Sequence, residues 1–237
     1  MARTTQRRRS ASPPTRVIAI DVYGTIIDIG ALEVRLEEAF GARANEAARL
    51  WREKQIEFSF RRGLMRKYVN FDVCTRQALL YVSQQMAVGL GEGQRRELLA
   101  AHLCLPVFPG VKDALQALAE RGGTLVALTN GTEKSVRAVL TQADIIDCFE
   151  KIISVDAIRT FKPDPAVYEH LVRSVRRPKE MVWLVSSNPW DVIGGKAYGL
   201  KAVWLQRDSA RAFDPWEFAP DLTIRSLDGL CAELLDY

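Results

Sequence analysis

The chain has 237 residues, enough to bury a substantial core as one large domain or as a domain with an insertion. Its four cysteines form no CxxC pair and it has only two histidines, which disfavours a zinc site, a disulfide framework or a histidine-dependent triad and favours a reducing cytoplasm. No apolar run is long enough to span a bilayer, so we expect a soluble protein without membrane association.

The net charge of +4 suggests nucleic-acid binding, but its source is the first 16 residues. This segment, MARTTQRRRSASPPTR, holds five arginines and no acid, so the rest of the chain carries about −1. We therefore expect residues 1–16 to form a disordered tail, and we expect no nucleic-acid partner. The twin arginines lack a following apolar segment, which argues against a secretion signal. We favour the interpretation that the start of the sequence is extended or misplaced.

The first predicted strand, residues 17–21, ends in a carboxylate. If this strand is buried in a parallel sheet, Asp21 lies at its carboxyl end, where open α/β sheets bind their ligands. Asp21 is then a candidate nucleophile or metal ligand. A turn or helix cap is the alternative, because Asp and the following Gly are common in both.

The next stretch, residues 30–105, contains amphipathic helical blocks such as ALEVRLEEAF and FDVCTRQALLYVSQQM and no convincing strand. It is predicted to be a helical cap subdomain inserted into a core of residues 17–29 and 106–237. An insertion at this point lies over the carboxyl edge of the sheet, so a cleft is expected between cap and core.

After the insertion, short β-branched runs alternate with helical patterns. The fold class that this predicts is α/β, with a doubly wound, mostly parallel, Rossmann-like sheet and the inserted helical cap. The further strands are predicted at residues 125–129, 151–155, 181–186, 201–205 and, weakly, 222–224. The core helices are predicted at residues 111–121, 133–143, 165–175, 190–198 and 227–235.

Polar residues follow four of these strands. Asp21 ends the first, TNGT (129–132) follows the second, FKPDP (161–165) the third and SSNPWD (186–191) the fourth. Each has an ordinary alternative, such as a helix cap for Thr129 or a solvated loop for Lys162. Because the four loops meet at one rim of the sheet, the sequence predicts a shared site.

The motifs DVYGTIID, LTNGTEKSV, FKPDPAVYEHL and VSSNPWDVIGGKAYGLKAVW resemble the four motifs of the haloacid dehalogenase superfamily, and specifically of its (S)-2-haloacid dehalogenase branch. LWREKQIEF and RKYVNFD resemble the cap of that branch, so the likeness covers nearly everything from Val17 onward. It implies hydrolysis of short (S)-2-haloalkanoic acids to (R)-2-hydroxy acids and halide through an ester of Asp21, without a cofactor or metal.

Two positions separate this branch from the magnesium-dependent phosphatases of the superfamily. Those enzymes carry a second aspartate two residues after the nucleophile and an acidic metal ligand in the fourth motif. Here the two positions hold Tyr23 and Ser187. A halide leaves as a stable anion and needs neither the proton nor the metal that a phosphate ester requires. A magnesium-dependent phosphatase and a catalytically idle binding member stay as the alternatives.

The resemblance also assigns roles around Asp21. Lys162 is expected to hold Asp21 ionised and oriented by ion pairing. Thr25 and Ser186 supply hydroxyl groups, and Ser186 is expected to be the partner of Asp21. Asn188 and Asp191 would position and deprotonate the hydrolytic water, with Tyr168 in the Lys162 and Asp191 network.

Further residues are expected to contact the substrate. Thr129 and nearby backbone N–H groups would receive the substrate carboxylate, and Arg52 would meet the departing halide together with Asn130. The apolar wall is expected from Tyr23, Ile56, Phe71 and Trp190, for which plain core packing is the alternative.

Two positions depart from the pattern of that branch, and a homodimer is expected. Thr129 replaces a usual serine, and Glu53 replaces a usual glutamine, so Glu53 either pairs with Arg52 or lies away from the cleft. A homodimer is expected because the apolar residues around 79–86 exceed what covering one cleft needs and because similar family members are often homodimers.

Overall fold

The computed structural model describes residues 16–234 and contains a parallel sheet of six strands in the order β3-β2-β1-β4-β5-β6. The strands are β1 (Val17–Asp21), β2 (Thr124–Thr129), β3 (Lys151–Ser154), β4 (Val182–Ser186), β5 (Lys201–Leu205) and β6 (Leu222–Ile224). The predicted α/β fold class is confirmed, and each predicted strand differs from the observed one by at most one residue at an end.

β1 lies in the centre of the sheet because its side chains are apolar on both faces. All five of its residues are buried, as expected for a parallel strand covered by helices on each side. Its register places Asp21 opposite Leu128 of β2 and Ile20 opposite Val185 of β4. The strand is followed by a tight turn in which Gly24 has a φ of 86°, a conformation that glycine adopts without strain.

The helices of the core are α5 (Val111–Glu120), α6 (Glu133–Gln142), α7 (Pro165–Val175), α8 (Pro189–Tyr198) and α9 (Gly229–Leu234). Local sequence explains where they begin, because the Thr132 side chain caps α6 and the Asp164 side chain caps α7 ahead of Pro165. The prediction for α9 began at residue 227, whereas the helix begins at Gly229; residue 235 lies outside the described range.

The predicted cap region is helical throughout, and residues 30–105 contain no strand. Its helices are α1 (Leu32–Phe40), α2 (Ala44–Leu64), α3 (Phe71–Gln85) and α4 (Glu92–Ala101). The hydrogen bonds that join this region to the core include two between side chains. The Tyr68 hydroxyl donates to Asp156 at 2.6 Å, and the Ser135 hydroxyl donates to Asp72 at 2.9 Å. Both bonds lie near the carboxyl ends of β2 and β3, so the helices cover the edge of the sheet where Asp21 lies.

The apolar residues that suggested a dimer are used inside the protomer. Leu79, Val82 and Met86 of the segment 79–86 are buried, and they belong to the same apolar cluster as Leu36 and Phe40 of α1. They belong to a core that continues to Ile20 of β1, so these three side chains are not available to a dimer interface.

The predicted basic tail, residues 1–16, lies outside the described residues except for Arg16. Arg16 Nη1 donates to the backbone carbonyl of Leu234 at 2.6 Å. Within residues 16–234, no helix is long and apolar enough to cross a membrane.

Candidate active site

The side chains that follow the strands meet around Lys162. Its ammonium group lies 2.9 Å from Oδ1 of Asp21 and 2.9 Å from Oδ2 of Asp191, and it donates to the backbone carbonyl of Leu128 at 2.8 Å. Lys162 and Asp191 have no exposed side-chain surface. The predicted convergence of the loops therefore produces a buried carboxylate–lysine–carboxylate arrangement.

The second oxygen of Asp21 accepts hydrogen bonds from three side chains. Thr25 Oγ1 donates to Oδ2 at 2.7 Å, Asn188 Nδ2 at 2.8 Å and Ser186 Oγ at 3.4 Å. Both expected hydroxyl groups donate to Asp21, but Thr25, and not the favoured Ser186, makes the shorter contact. The tight turn after β1 returns Thr25 to the end of its own strand, and the Ser186 hydroxyl also accepts from the backbone N–H of Asn188.

Burial and charge act in opposite directions on this cluster. Burial opposes the charge of Lys162, but the carboxylates of Asp191 and Asp21 outweigh it and raise the lysine pKa above its usual value. Burial raises the pKa of Asp191, although Lys162 acts against that shift. The Tyr168 hydroxyl donates to Oδ1 of Asp191 at 3.0 Å, and burial raises the Tyr168 pKa as well, so it stays a protonated donor.

A small cavity lies between Asp21 and the cap. Its lining contains polar groups from both sides and apolar side chains from the cap and α8. The residues that line it are Asp21, Tyr23, Arg52, Ile56, Phe71, Thr129, Asn130 and Trp190. All eight were predicted as site residues; the other predicted residues, Thr25, Lys162, Tyr168, Ser186, Asn188 and Asp191, lie behind Asp21 and do not line the cavity.

Arg52 of α2 places a positively charged side chain on the cap side of the cavity. Its Nη1 donates to Oε1 of Gln55 at 2.8 Å and its Nη2 donates to the backbone carbonyl of Tyr23 at 3.2 Å. Burial lowers the pKa of this guanidinium to about 10, so Arg52 is positively charged at neutral pH. Glu53 pairs with Arg49 at 3.5 Å on the exposed face of α2, which resolves the alternative in favour of a position away from Arg52.

The buried side-chain amide of Asn130 makes a hydrogen bond through its oxygen but not through its nitrogen. Its Oδ1 accepts from the backbone N–H of Lys162 at 2.9 Å, whereas Nδ2 has no hydrogen-bond partner within residues 16–234. A buried donor without a partner is costly. Since Asn130 lines the cavity, this N–H group is available to an acceptor or an anion in the cavity.

The site does not fit a magnesium ion, which prefers several oxygen ligands. Both oxygens of Asp21 are occupied by hydrogen-bond donors, and Tyr23 stands where a phosphatase has its second aspartate. Ser187 replaces the acidic ligand, and its hydroxyl lies 3.1 Å from the Arg207 guanidinium, a cation that repels a divalent metal. In the described part of the chain, no group of three or more His, Cys, Asp or Glu side chains could hold a metal ion.

Sequence reasoning missed the polar residues that support this site. Gln55, Thr75 and His102 form a buried cluster behind Arg52, and Arg207 donates to Ser187 and to the backbone carbonyl of Thr25 from the far side. Gln55 follows Arg52 by three residues on one helix face, a spacing that could have identified it. No local pattern marks His102 or Arg207.

Fold and site together define an α/β protein in which helices cover the carboxyl edge of a parallel sheet and a buried aspartate–lysine pair lies at that edge. The sequence profile of the haloacid dehalogenase-like hydrolases matches residues 15–199. Since this match covers most of the chain, the protein belongs to the haloacid dehalogenase-like hydrolases.

Relatives with a similar sequence include several dehalogenases. The chain is 37% identical to haloacetate dehalogenase H-2 of Moraxella sp. (strain B) over 90% of its length and 95% of the relative's. It is 36% identical to an (S)-2-haloacid dehalogenase of Pseudomonas sp. (strain YL), over 89% and 90% of the two chains. Among solved structures, an L-2-haloacid dehalogenase from Xanthobacter autotrophicus with chloropropionic acid covalently bound has a TM-score of 0.84 and 28% identity, over 92% and 97% of the two chains.

Proposed function

We propose that the protein hydrolyses short (S)-2-haloalkanoic acids to (R)-2-hydroxy acids and halide through an ester of Asp21. The observation that carries the proposal is the small cavity with Asp21 on the core side and Arg52 and the unpaired Asn130 N–H on its walls. The names of the relatives and the covalently bound chloropropionic acid in one structural neighbour support it.

In the first step, a carboxylate oxygen of Asp21 attacks C2 of the substrate opposite the halogen. The new O–C2 bond forms as the carbon–halogen bond breaks, and the halide leaves with the bonding electrons, which inverts C2. Arg52 and the Asn130 amide stabilise the departing negative charge, which grows in the transition state. The attack is assigned to Oδ1, which accepts from Lys162 alone among the residues that the structure describes, whereas Oδ2 accepts hydrogen bonds from the three side chains of Thr25, Asn188 and Ser186.

The substrate is held by few groups. Thr129 and the backbone N–H groups after β2 receive its carboxylate, while Tyr23, Ile56, Phe71 and Trp190 contact its alkyl side. The cavity is far smaller than the usual site for a drug-sized ligand, which supports a short substrate.

In the second step, water attacks the ester carbonyl of Asp21. With Oδ1 bonded to C2, Oδ2 becomes the carbonyl oxygen, and the Thr25 and Asn188 donors at 2.7 Å and 2.8 Å stabilise the negative charge that it acquires. Collapse breaks the bond between the carbonyl carbon and Oδ1, and the hydroxy acid leaves with that oxygen. One proton of the attacking water ends on the product hydroxyl, and the other is released to solvent as Asp21 returns to a carboxylate. Lys162 at 2.9 Å stabilises the charge on Oδ1.

Asp191 was expected to deprotonate this water, and that role stays a prediction. Its carboxylate faces Lys162 and Tyr168 and does not line the cavity. The geometry therefore supports a role for Asp191 in holding Lys162 charged and in place. Asn188, which contacts Asp21 directly, is the better placed of the two to orient water.

The test is halide release from (S)-2-chloropropionate in the presence of excess EDTA, beside (R)-2-chloropropionate and a panel of phosphate monoesters. We expect chloride release from the (S) substrate alone, unchanged by the chelator, because the site offers no ligand set for a metal. Phosphate release that needs added magnesium would instead identify the phosphatase. Inactivity on every substrate would favour a binding member.

Several predictions remain proposals about this chain. They are the division into a core of residues 17–29 and 106–237 and a cap of residues 30–105, the cytoplasmic location, the absence of a nucleic-acid partner, and the homodimer. Static light scattering at micromolar concentration measures the last, and a monomer mass would contradict it.

A further inference from the structure

Behind Arg52, away from the cavity, lies a chain of buried hydrogen bonds. Arg52 Nη1 donates to Oε1 of Gln55 at 2.8 Å, and Gln55 Nε2 lies 2.6 Å from Thr75 Oγ1 and 3.3 Å from Nε2 of His102. Gln55 is 1% exposed, Thr75 5% and His102 8%. Polar groups so deeply buried are normally hydrogen-bonded, so the direction of each bond follows from the chemistry of its two partners.

The two ends of this chain set the direction of every bond. A guanidinium can only donate, so the oxygen of the Gln55 amide must face Arg52 and its NH₂ group must face the other way. At the far end, Thr75 donates its hydroxyl proton to the backbone carbonyl of Phe71 at 2.9 Å. The Thr75 oxygen therefore accepts one of the two Gln55 protons.

The remaining Gln55 proton points at Nε2 of His102. That nitrogen must accept, so the imidazole is neutral and carries its hydrogen on Nδ1. A proton on Nε2 would place two donors against each other at 3.3 Å. Turning the Gln55 amide over would remove that conflict, but it would set an NH₂ group against the Arg52 guanidinium.

The His102 ring is held in this orientation by aromatic neighbours from two other elements. Its centroid lies 5.4 Å from the Tyr23 ring and 5.8 Å from the Trp51 ring. Trp51 in turn donates its indole N–H to the backbone carbonyl of Thr75 at 2.9 Å. Burial and the nearby Arg52 charge lower the His102 pKa to about 4, so the ring is neutral near pH 7.

We propose that His102 is a positioning residue for the halide: its unprotonated Nε2 fixes the Gln55 amide, and Gln55 aims the Arg52 guanidinium at the departing halide. This inference rests on the proposed dehalogenase activity. It assigns to His102 a function through Gln55 and Arg52, with no contact to the substrate.

The test compares His102→Phe, which keeps an aromatic ring without an acceptor, with His102→Gln, whose Oε1 replaces Nε2 as acceptor. The measured quantity is kcat/KM for (S)-2-chloropropionate and (S)-2-bromopropionate, because it reports the displacement step. Chloride is the poorer leaving group and depends more on stabilisation by Arg52. His102→Phe should lose about 10-fold with the chloride and about threefold with the bromide, which correspond to about 1.4 and about 0.6 kcal/mol and lie within the range for one hydrogen bond. His102→Gln should restore both rates to within about twofold.

A purely structural role would lower both rates by the same factor in His102→Phe. Equal losses, unchanged rates, or no recovery in His102→Gln each overturn the inference. Wild-type protein that releases neither halide would refute the proposed function instead, and the two failures are thus distinguishable.

A second measurement needs no variant and covers the case in which His102→Phe does not fold. The chain has two histidines, so a ¹⁵N-histidine spectrum of the wild-type protein resolves both rings. We expect the His102 resonances near pH 7 to show a protonated Nδ1 and an unprotonated Nε2. The opposite tautomer, or a doubly protonated ring, overturns the inference.

Discussion

The Tyr168 hydroxyl lies 3.0 Å from Oδ1 of Asp191, and this contact depends on a glycine in the next turn of α8. A Cβ built on Gly194 would overlap the Tyr168 hydroxyl and would lie 2.6 Å from Cβ of Pro163. Both neighbours belong to the segment that carries Lys162. The close approach of α7 to α8 therefore positions the lysine that holds Asp21.

Gly194→Ala should displace Tyr168 and lower both stability and activity. Overpacking of this kind costs about 1–3 kcal/mol. The control is Gly93→Ala on the exposed face of α4, where nothing lies within 4 Å of the added Cβ. That change should leave the rate unaltered and leave the free energy of unfolding unchanged or raise it by up to about 1 kcal/mol. Equal effects of the two variants in urea unfolding would contradict the packing argument.

Lys162→Met should leave two buried carboxylates without their shared cation. Removing one partner of a buried ion pair costs about 3–5 kcal/mol, and the rate should fall by about 100-fold or more. The double variant Lys162→Met/Asp191→Asn removes one of the two charges, so it should recover part of the stability without recovering the rate. Recovery of the rate in the double variant would contradict the role given to Lys162.

The control for Lys162 is Lys151→Met. The Lys151 side chain is 45% exposed, lies 3.9 Å from Glu150 and donates to the backbone carbonyl of Ser174 at 3.1 Å on the surface. Exposed contacts of this kind contribute little, so the rate should be unchanged and the free energy of unfolding should fall by no more than about 1 kcal/mol.

Arg52→Ala should lower halide release by about 100-fold or more, because the guanidinium stabilises charge that develops in the transition state. Lysine should restore the rate only in part, since an ammonium lacks the planar fork that contacts both Gln55 and Tyr23. Glu53→Ala on the adjacent position is the matched control. Because Glu53 pairs with Arg49 on the surface, its loss should change kcat/KM by less than about twofold.

The part of the fold that follows from periodicity was predictable. The apolar run ending in Asp21 and the Thr132 and Asp164 caps are local signals, and the observed strand and helices follow them. The apolar character of the segment 79–86 is also a local signal, but sequence does not reveal that Leu79 and Val82 face the protomer's own core.

The site residues were predicted from resemblance to a family. The sequence did not predict contacts between segments that are distant along the chain. Thr25 outranks Ser186 as the partner of Asp21 because the turn at Gly24 folds Thr25 back onto the strand end. His102 reaches Gln55 across 47 positions and lies just after α4, where nothing in the local pattern distinguishes it from a surface residue. Such contacts depend on how α2, α3 and α4 pack.

Because the pKa of His102 is lowered in the folded state, the free energy of unfolding should depend on pH. The ring is neutral in the folded state down to about pH 4, whereas in the unfolded chain it takes up a proton near pH 6.5. The unfolded state therefore binds more protons between these values, and the free energy of unfolding falls as the pH is lowered. Between pH 7 and pH 5 this contribution amounts to about 2 kcal/mol.

The measurement is urea unfolding of the wild-type protein and His102→Gln at both pH values. The variant should lose about 2 kcal/mol less than the wild-type protein on acidification. His170→Gln is the control, because His170 is only partly buried and its neighbour is Arg173. A wild-type protein that loses no more stability than His102→Gln would contradict a neutral buried ring.

A single-turnover labelling experiment distinguishes attack on carbon by Asp21 from attack by water. Enzyme in excess over substrate is allowed one turnover in oxygen-18 water. If an ester forms and water attacks its carbonyl, the new hydroxyl of the product carries an unlabelled oxygen of Asp21, and the label enters the peptide that contains residue 21. If Asp21 instead activates water, the hydroxy acid is labelled and the aspartate is not.

The geometry favours the first outcome, because Lys162, Thr25 and Asn188 hold the carboxylate against the cavity through both of its oxygens. Asp21→Asn should abolish activity, since a neutral amide is a poor nucleophile at carbon. Its control is Asp28→Asn seven positions on, whose side chain accepts from the backbone N–H of Gly30 near the surface and should leave the rate unchanged. Labelled hydroxy acid in the first turnover would refute the ester and make Asp21 a general base.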